Sequence, residues 1–127
     1  SQEVEFKPNH EIQSRGLEMI LNNNSTGNIF VAKKKEKIIG MVILLYTVST
    51  ALGERVALLE DMVVSPDERK LGIGSMLLDH ALKYAAKKGC KRITLLTDKM
   101  NIRAQKFYKQ HKFNRSSMIP FRMIINS

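Results

Sequence analysis

Leu59-Glu60-Asp61-Met62-Val63-Val64-Ser65-Pro66-Asp67-Glu68-Arg69-Lys70-Leu71-Gly72-Ile73-Gly74 is the stretch on which the reading of this chain turns. Its first part, with Arg55 to Leu58 before it, is apolar almost throughout, which predicts a strand central in a sheet and covered on both faces. Ser65-Pro66-Asp67 ends that strand. From Gly72 to Lys88 the spacing predicts a helix, with Ile73, Met76, Leu77, His80 or Ala81, and Tyr84 on one stripe and Gly89 just past its end. Between strand and helix, the two glycines of Arg69-Lys70-Leu71-Gly72-Ile73-Gly74 let the backbone approach a ligand. Free amide N–H groups and the positive end of the helix dipole suit a phosphate there, and Arg69 adds a charged donor. Glycines so placed also serve simply to turn a strand into a helix. Neither G-x-G-x-x-G nor G-x-x-x-x-G-K-[ST] is present, so the dinucleotide and P-loop readings fail.

Working outward, Ile29 to Lys33 and Ile38 to Val48 are β-branched runs joined by the charged turn Lys34-Lys35-Glu36-Lys37. Thr50-Ala51-Leu52-Gly53-Glu54 is a second turn, so three strands in hairpin succession are predicted. Further upstream, Asn22 to Asn28 is a polar loop, Asn9 opens a helix carrying Ile12, Leu17, Ile20 and Leu21, and Val4 and Phe6 give a faint strand signal. Downstream come a strand at Arg92 to Thr97, a helix at Ile102 to His111 with Ala104, Phe107, Tyr108 and His111 on one side, and a terminal strand at Phe121 to Asn126. The predicted class is α/β (α+β): a mixed, mostly antiparallel central sheet flanked by helices.

Length and charge narrow the function classes. The 127 residues suit a single domain, and 43% apolar content is enough for a real core. The most apolar stretch, residues 38–48, covers 11 positions, whereas a membrane-spanning helix needs about 20. Cys90 is the single cysteine, and no leader-like run opens the sequence, so a reducing cytoplasmic compartment is the default expectation. Residues 1–68 hold 7 basic and 10 acidic side chains, while residues 69–127 hold 14 basic and 2 acidic ones. The cationic second half suggests an anionic partner: nucleic acid, a membrane face or a polyphosphate cofactor. His10, His80, His111 and Cys90 show no metal-ligand spacing, so no metal is expected.

Asn101, Ala104 and Tyr108 lie at positions 0, 3 and 7 of the second helix and so share a face. Asn101 also suits a helix cap, and Tyr108 beside Phe107 also suits core packing. Taken with the first stretch, they carry a resemblance. Arg69-x-x-Gly72-x-Gly74, opening a helix directly after the strand ending Leu59 to Val64, resembles the acetyl-CoA signature of the GNAT superfamily of N-acetyltransferases. Asn101-x-x-Ala104-x-x-Phe107-Tyr108, closed by Phe113, is similar to that superfamily's second motif. The likeness runs from about Ile29 to Phe113. Two departures accompany it: His111 stands where the family commonly has Gly, and only 28 residues precede Ile29 where the family usually carries a first strand and two helices, so either Val4 to Lys7 is a remnant first strand followed by one helix in a shortened N-terminal element, or the chain is trimmed at its N-terminus.

The resemblance implies a single N-acetyltransferase domain over residues 1–127, with acetyl-CoA as cosubstrate and direct attack of an amine on the acetyl thioester. It implies that the backbone of Met62, Val63 and Val64 pairs with the pantetheine arm, and that Arg69, Lys70, Leu71, Gly72, Ile73 and Gly74 hold the pyrophosphate. Asn101 and Ala104 then line the pantetheine arm, Glu60 is the general base, and Tyr108 protonates the departing thiolate. The adjacent Glu60 and Asp61 resemble the polyamine acetyltransferase branch. Strand alternation predicts that these two carboxylates face opposite sides and form no dyad. A strand-end carboxylate paired with Lys or Arg is the plain alternative for Glu60. A catalytically silent acyl-CoA-binding sensor is the competing reading. A basic nucleic-acid-binding protein is disfavoured, because the basic segment lacks interleaved aromatics and any recognised motif. The acceptor amine stays open, and the exposed edge of the Ile29 to Lys33 strand leaves a homodimer open.

Overall fold

A computed structural model of the chain describes residues 25–68 and 72–126. Four strands, β1 (Gly27–Lys34), β2 (Lys37–Ser49), β3 (Glu54–Val64) and β4 (Ile93–Leu95), form one sheet in the order β1-β2-β3-β4. The first two pairings are antiparallel and the β3–β4 pairing is parallel. Helix α1 (Ile73–Lys87) follows β3 after the short 3-10 turn Pro66–Glu68, and α2 (Ile102–Gln110) follows β4. The predicted mixed, mostly antiparallel sheet with flanking helices is therefore present. The strand signal at Val4 and Phe6, the helix after Asn9, and Arg69, Lys70 and Leu71 lie outside the described residues.

The core forms where α1 and α2 meet one face of the sheet. Val42, Leu44, Ala57, Leu59 and Met62 pack there against Leu77, Leu78, Ala81 and Ala85 of α1 and Ala104, Phe107 and Tyr108 of α2. The buried side of α1 is rotated from the predicted stripe: Leu78 and Ala85 are buried, whereas Met76 and His80 are exposed. Helix and sheet come close at Gly40, where an added Cβ would sit 2.8 Å from Leu77 Cδ1 and 3.3 Å from Ile73 Cγ2. Because Gly40 pairs with Val64, this contact sets the first turn of α1 over the C-terminal end of β3.

β3 is central, but its second face is not fully covered, since Leu58 and Glu60 are exposed while Val56 on that face is buried. The strand also departs from strict alternation. Leu59 and Met62 both enter the helix-side core although three residues separate them, and odd separations place strand residues on opposite faces. The pairing supplies the missing residue: Met41 opposes Val63 and Ile43 opposes Glu60, so β3 carries one extra residue across that step. Asp61 absorbs it with φ of 48°, the left-handed geometry of a β-bulge. The period of two that was to separate Glu60 from Asp61 is thus interrupted between them, and both are exposed.

Both helices end in the Schellman arrangement, which satisfies terminal carbonyls through a left-handed residue. In α1 that residue is Gly89, with Gly89 N–H donating to Ala86 O and Cys90 N–H to Ala85 O, each at 3.0 Å. In α2, Lys112 N–H donates to Lys109 O and Phe113 N–H to Tyr108 O, also at 3.0 Å. The left-handed residue there is Lys112, with φ of 72°, whereas His111 has φ of −97°. The conformation that favours Gly therefore falls one residue later than the sequence comparison placed it. Lys112→Gly is expected to raise stability by about 0.5–1 kcal/mol, seen as a higher urea midpoint, because it relieves a Cβ clash at positive φ.

The predicted strand at Phe121 to Asn126 is absent as a strand: residues 114–126 join no ladder. The segment is apolar enough for a strand, but a ladder also needs a neighbour, and no described strand pairs with it.

Candidate active site

β4 accompanies β3 only through the pairs Ala57–Ile93, Leu58–Thr94 and Leu59–Leu95. Beyond Leu59 the two chains part, and β3 continues to Val64 with its far edge unpaired among the described residues. Backbone N–H and C=O groups along such an edge are obligatory hydrogen-bonding groups without partners, so the fork offers a ready template for an extended ligand. The bulge at Asp61 and Met62 lies within this open stretch. Val63 and Val64 follow it, half-buried and buried.

Three more features gather at the same end of the sheet. The first is the start of α1, where Gly72 occupies the cap position with φ of 79° and makes no side-chain capping bond. Met76 N–H donates to Gly72 O at 3.0 Å, closing the first turn, while the N–H groups of Ile73, Gly74 and Ser75 belong to the set a helix cannot satisfy internally. The second is Thr97, two residues past the last β3–β4 pair. Its Oγ1 is buried and has no hydrogen-bond partner. Leaving such a group unmet costs about 1–3 kcal/mol, a cost that a hydrogen bond from a bound molecule or water would offset.

The third is α2. Asn101 caps it, with Oδ1 accepting from Ala104 N–H at 3.0 Å. The plain capping role is therefore real, and it leaves the Asn101 Nδ2 donors unused among the described residues. Ala104 is fully buried beneath. Tyr108 is 2% exposed, and its hydroxyl donates to Met62 Sδ at 3.8 Å, which brings the phenol to the bulge. Its ring is held edge-on by Phe107 and Phe113, with centroids 5.3 and 5.6 Å away. Burial pushes the Tyr108 phenol well above its ordinary pKa.

Glu60 is exposed on β3 opposite Ile43, on the face away from Leu59, Met62 and Tyr108. It makes no ion pair among the described residues, so the Lys- or Arg-paired role has no support there. The fork is open between the strands, and groups from either face can approach a molecule lying in it. Sequence reasoning missed Thr97 and the bulge. For the bulge a signal existed: two adjacent carboxylates inside an apolar strand fit poorly with a regular pleat.

Other reactive groups lie toward the opposite end of the sheet. Tyr46 donates to Asn28 Oδ1 at 2.6 Å, and its pKa is pushed up to about 12, first by burial and then by Tyr84 and Cys90, against the opposing Arg55 guanidinium. Burial also raises the Cys90 thiol, which suits a packing residue rather than a nucleophile. Among the described residues no group of three His, Cys, Asp or Glu is arranged to hold a metal ion.

A parallel strand pair that parts at a bulge, with two helix N-termini at the same end, is the architecture expected of an acyltransferase. The acetyltransferase (GNAT) family model matches residues 2–113, and the chain belongs to that family. Over 94 residues it is 32% identical to an uncharacterized N-acetyltransferase, YhfO, of Bacillus subtilis strain 168, spanning 74% of this chain and 63% of that protein's length. A transcriptional regulator from Bacillus halodurans C-125 has a similar structure, with TM-score 0.80, 30% identity, and coverage of 91% of this chain and 76% of that one. A probable acetyltransferase shares the fold at TM-score 0.82 and 24% identity, over 96% of this chain and 82% of the other. No helix among the described residues is long and apolar enough to cross a membrane.

Proposed function

We propose that this acetyltransferase is a single cytoplasmic domain that moves the acetyl group of acetyl-CoA directly to an amine. The observation that carries the reading is the fork itself, with the Tyr108 phenol at its bulge and the orphaned Thr97 hydroxyl beside it. The family uses acetyl-CoA as cosubstrate, which supplies an activated acetyl thioester. The residues present fit it. The unpaired edge of Met62 to Val64 matches an amide-bearing arm, the Thr97 hydroxyl and Asn101 Nδ2 supply further polar partners, and the cap Gly72 with the first-turn amides of Ile73, Gly74 and Ser75 suits an anion. Arg69, Lys70 and Leu71 are assigned to the same phosphate-holding loop from the sequence motif. The excess of 12 positive charges in residues 69–127, 14 basic against 2 acidic, draws a polyanion toward this end of the chain.

In this reading each side chain has one task. Glu60 takes a proton from the incoming amine, because an alkylamine with pKa near 10 is mostly protonated at pH 7. Backbone N–H groups at the bulge stabilise negative charge on the carbonyl oxygen, and Tyr108 gives its proton to the leaving sulfur. The test is a pair of measurements: thermal shift with CoA, and thiol release from acetyl-CoA with a panel of small amines, amino acids and peptides. Expected are a raised melting temperature and amine-dependent thiol release. Stabilisation by CoA with transfer to no acceptor would favour a silent acyl-CoA sensor, and a salt-sensitive shift of nucleic acid without CoA binding would overturn both.

A further inference from the structure

At the end of the sheet remote from the fork, the start of β4 and the ends of both helices enclose an open cleft of about 380 Å³. Its floor is the rim of the core: Leu82 of α1, Cys90, Ile93 of β4 and Phe113 are half-buried there and pack against the buried cluster. Lys91, Arg92 and Lys112 line the same cleft, are exposed, and make no ion pair among the described residues. Among the described residues no Asp or Glu lines it. The backbone sets where these cations start. Lys91 N–H donates to Arg55 O at 2.9 Å and Ala57 N–H to Arg92 O at 3.0 Å, extending the β3–β4 pairing, and Lys112 N–H donates to Lys109 O. From the Ala57–Ile93 pair β3 runs on for seven residues to Val64, about 20 Å at roughly 3.3 Å per residue. The cleft is therefore separate from the fork.

We propose that this cleft is a second ligand site, one that takes a small aryl carboxylate. An apolar floor beneath cationic walls asks for both parts of such a molecule. A bare inorganic anion would leave the floor uncovered, and a neutral ring would leave the cations unmatched. The planar guanidinium of Arg92 suits both oxygens of a carboxylate, with Lys91 and Lys112 as further positive charges. The Phe113 ring and the aliphatic Leu82 and Ile93 side chains supply the surface for the aryl group. One effect opposes an anion. Both helices end at this cleft, and each C-terminus carries about half a negative charge. Their last carbonyls already accept from the N–H groups of Gly89, Cys90, Lys112 and Phe113, and three whole positive charges outweigh two halves. His111 keeps its Nδ1–H for Phe107 O at 2.9 Å, so the binding cations are the Lys and Arg side chains. A volume near 380 Å³ lies at the small end of ligand sites, which suits a molecule of one or two rings. None of the charged groups belongs to the fork, so the site stands independently of acetyl transfer.

Amide NMR spectra of the full chain titrated with phenylacetate give affinity and location together. Saturating shifts are expected at residues 90–93 and 111–114, with a Kd of about 5 mM or tighter for so small a probe. Phenylacetamide keeps the ring and loses the charge, and acetate keeps the charge and loses the ring. Each should bind at least about fivefold more weakly than phenylacetate. Arg92→Gln removes the carboxylate's partner, and Ala86→Glu sets a like charge on the α1 wall of the cleft. Each substitution should weaken phenylacetate at least about fivefold. Both residues are exposed, so without ligand the two variants should keep the wild-type spectrum away from the cleft. Excess CoA should leave the phenylacetate shifts unchanged. No saturable binding, shifts centred elsewhere, equal binding of phenylacetamide, an affinity untouched in either folded variant, or displacement by CoA would each overturn the proposal.

Discussion

Tyr108→Phe is expected to lower kcat ten- to a hundredfold with little change in affinity for CoA. Among the described residues the phenol is the one core hydroxyl bonded to the bulge residue Met62, and three constraints hold it there. The Phe113 N–H caps Tyr108 O, and the Phe107 and Phe113 rings close on its two sides. Phe preserves that packing, so folding should be nearly unaffected and the loss should read as chemistry. Burial that raises the phenol's pKa keeps it protonated at working pH. Because the proton stays on until pH passes that raised value, the wild-type profile should show no loss from Tyr108 ionisation up to about pH 10, the ordinary phenol value. The same burial weakens Tyr108 as a donor to a thiolate whose conjugate acid has pKa near 8.5, which is why the effect is placed at the modest end of general-acid contributions. Steady-state thiol release at saturating amine measures it. A kcat equal to wild type would remove Tyr108 from the mechanism.

What the sequence made legible follows the range of each signal. Charged turns between β-branched runs located the β1–β2 and β2–β3 connections to within a residue or two, because hairpins are local. Both helices were visible through their spacing, but the buried side of α1 was set by what faces it, Gly40 and the strands around it, and so Leu78 rather than Met76 went inside. Asn101, Ala104 and Tyr108 were found together because one helix holds them. The bulge was missed because alternation was assumed through Glu60 and Asp61 despite the signal of two adjacent carboxylates in an apolar strand, and the register against Met41 and Ile43 shows the extra residue. The misplaced glycine position had a similar cause: which residue takes positive φ, His111 or Lys112, is settled by the hydrogen bonds to Tyr108 and Lys109. Thr97 was illegible because an orphaned hydroxyl is defined by everything around it. At the C-terminus the strand predicted at Phe121 to Asn126 joins no ladder, since an apolar run reports surface to be buried and names no neighbour to pair with.

Glu60→Gln should have the larger effect, lowering kcat/KM for the amine by about 10²–10⁴, the usual range for a general base. The substitution is nearly isosteric at an exposed side chain without an ion pair among the described residues, so stability should change little. Its signature is in the pH profile. At pH 7 only about one part in a thousand of an alkylamine with pKa near 10 is unprotonated, and without a base the variant depends on that fraction. The deficit should therefore narrow steadily as pH rises toward 10, where solvent has already removed the proton. A uniform deficit at all pH values would assign Glu60 to positioning instead. Asp61→Asn is the control that the bulge makes necessary. Asp61 sits at φ of 48°, a conformation Asn also tolerates, and it is exposed beside Glu60 at the mouth of the fork. If Asp61→Asn rather than Glu60→Gln produces the pH-dependent loss, the base is the bulge residue, and the strand's extra residue serves to turn that carboxylate toward the amine.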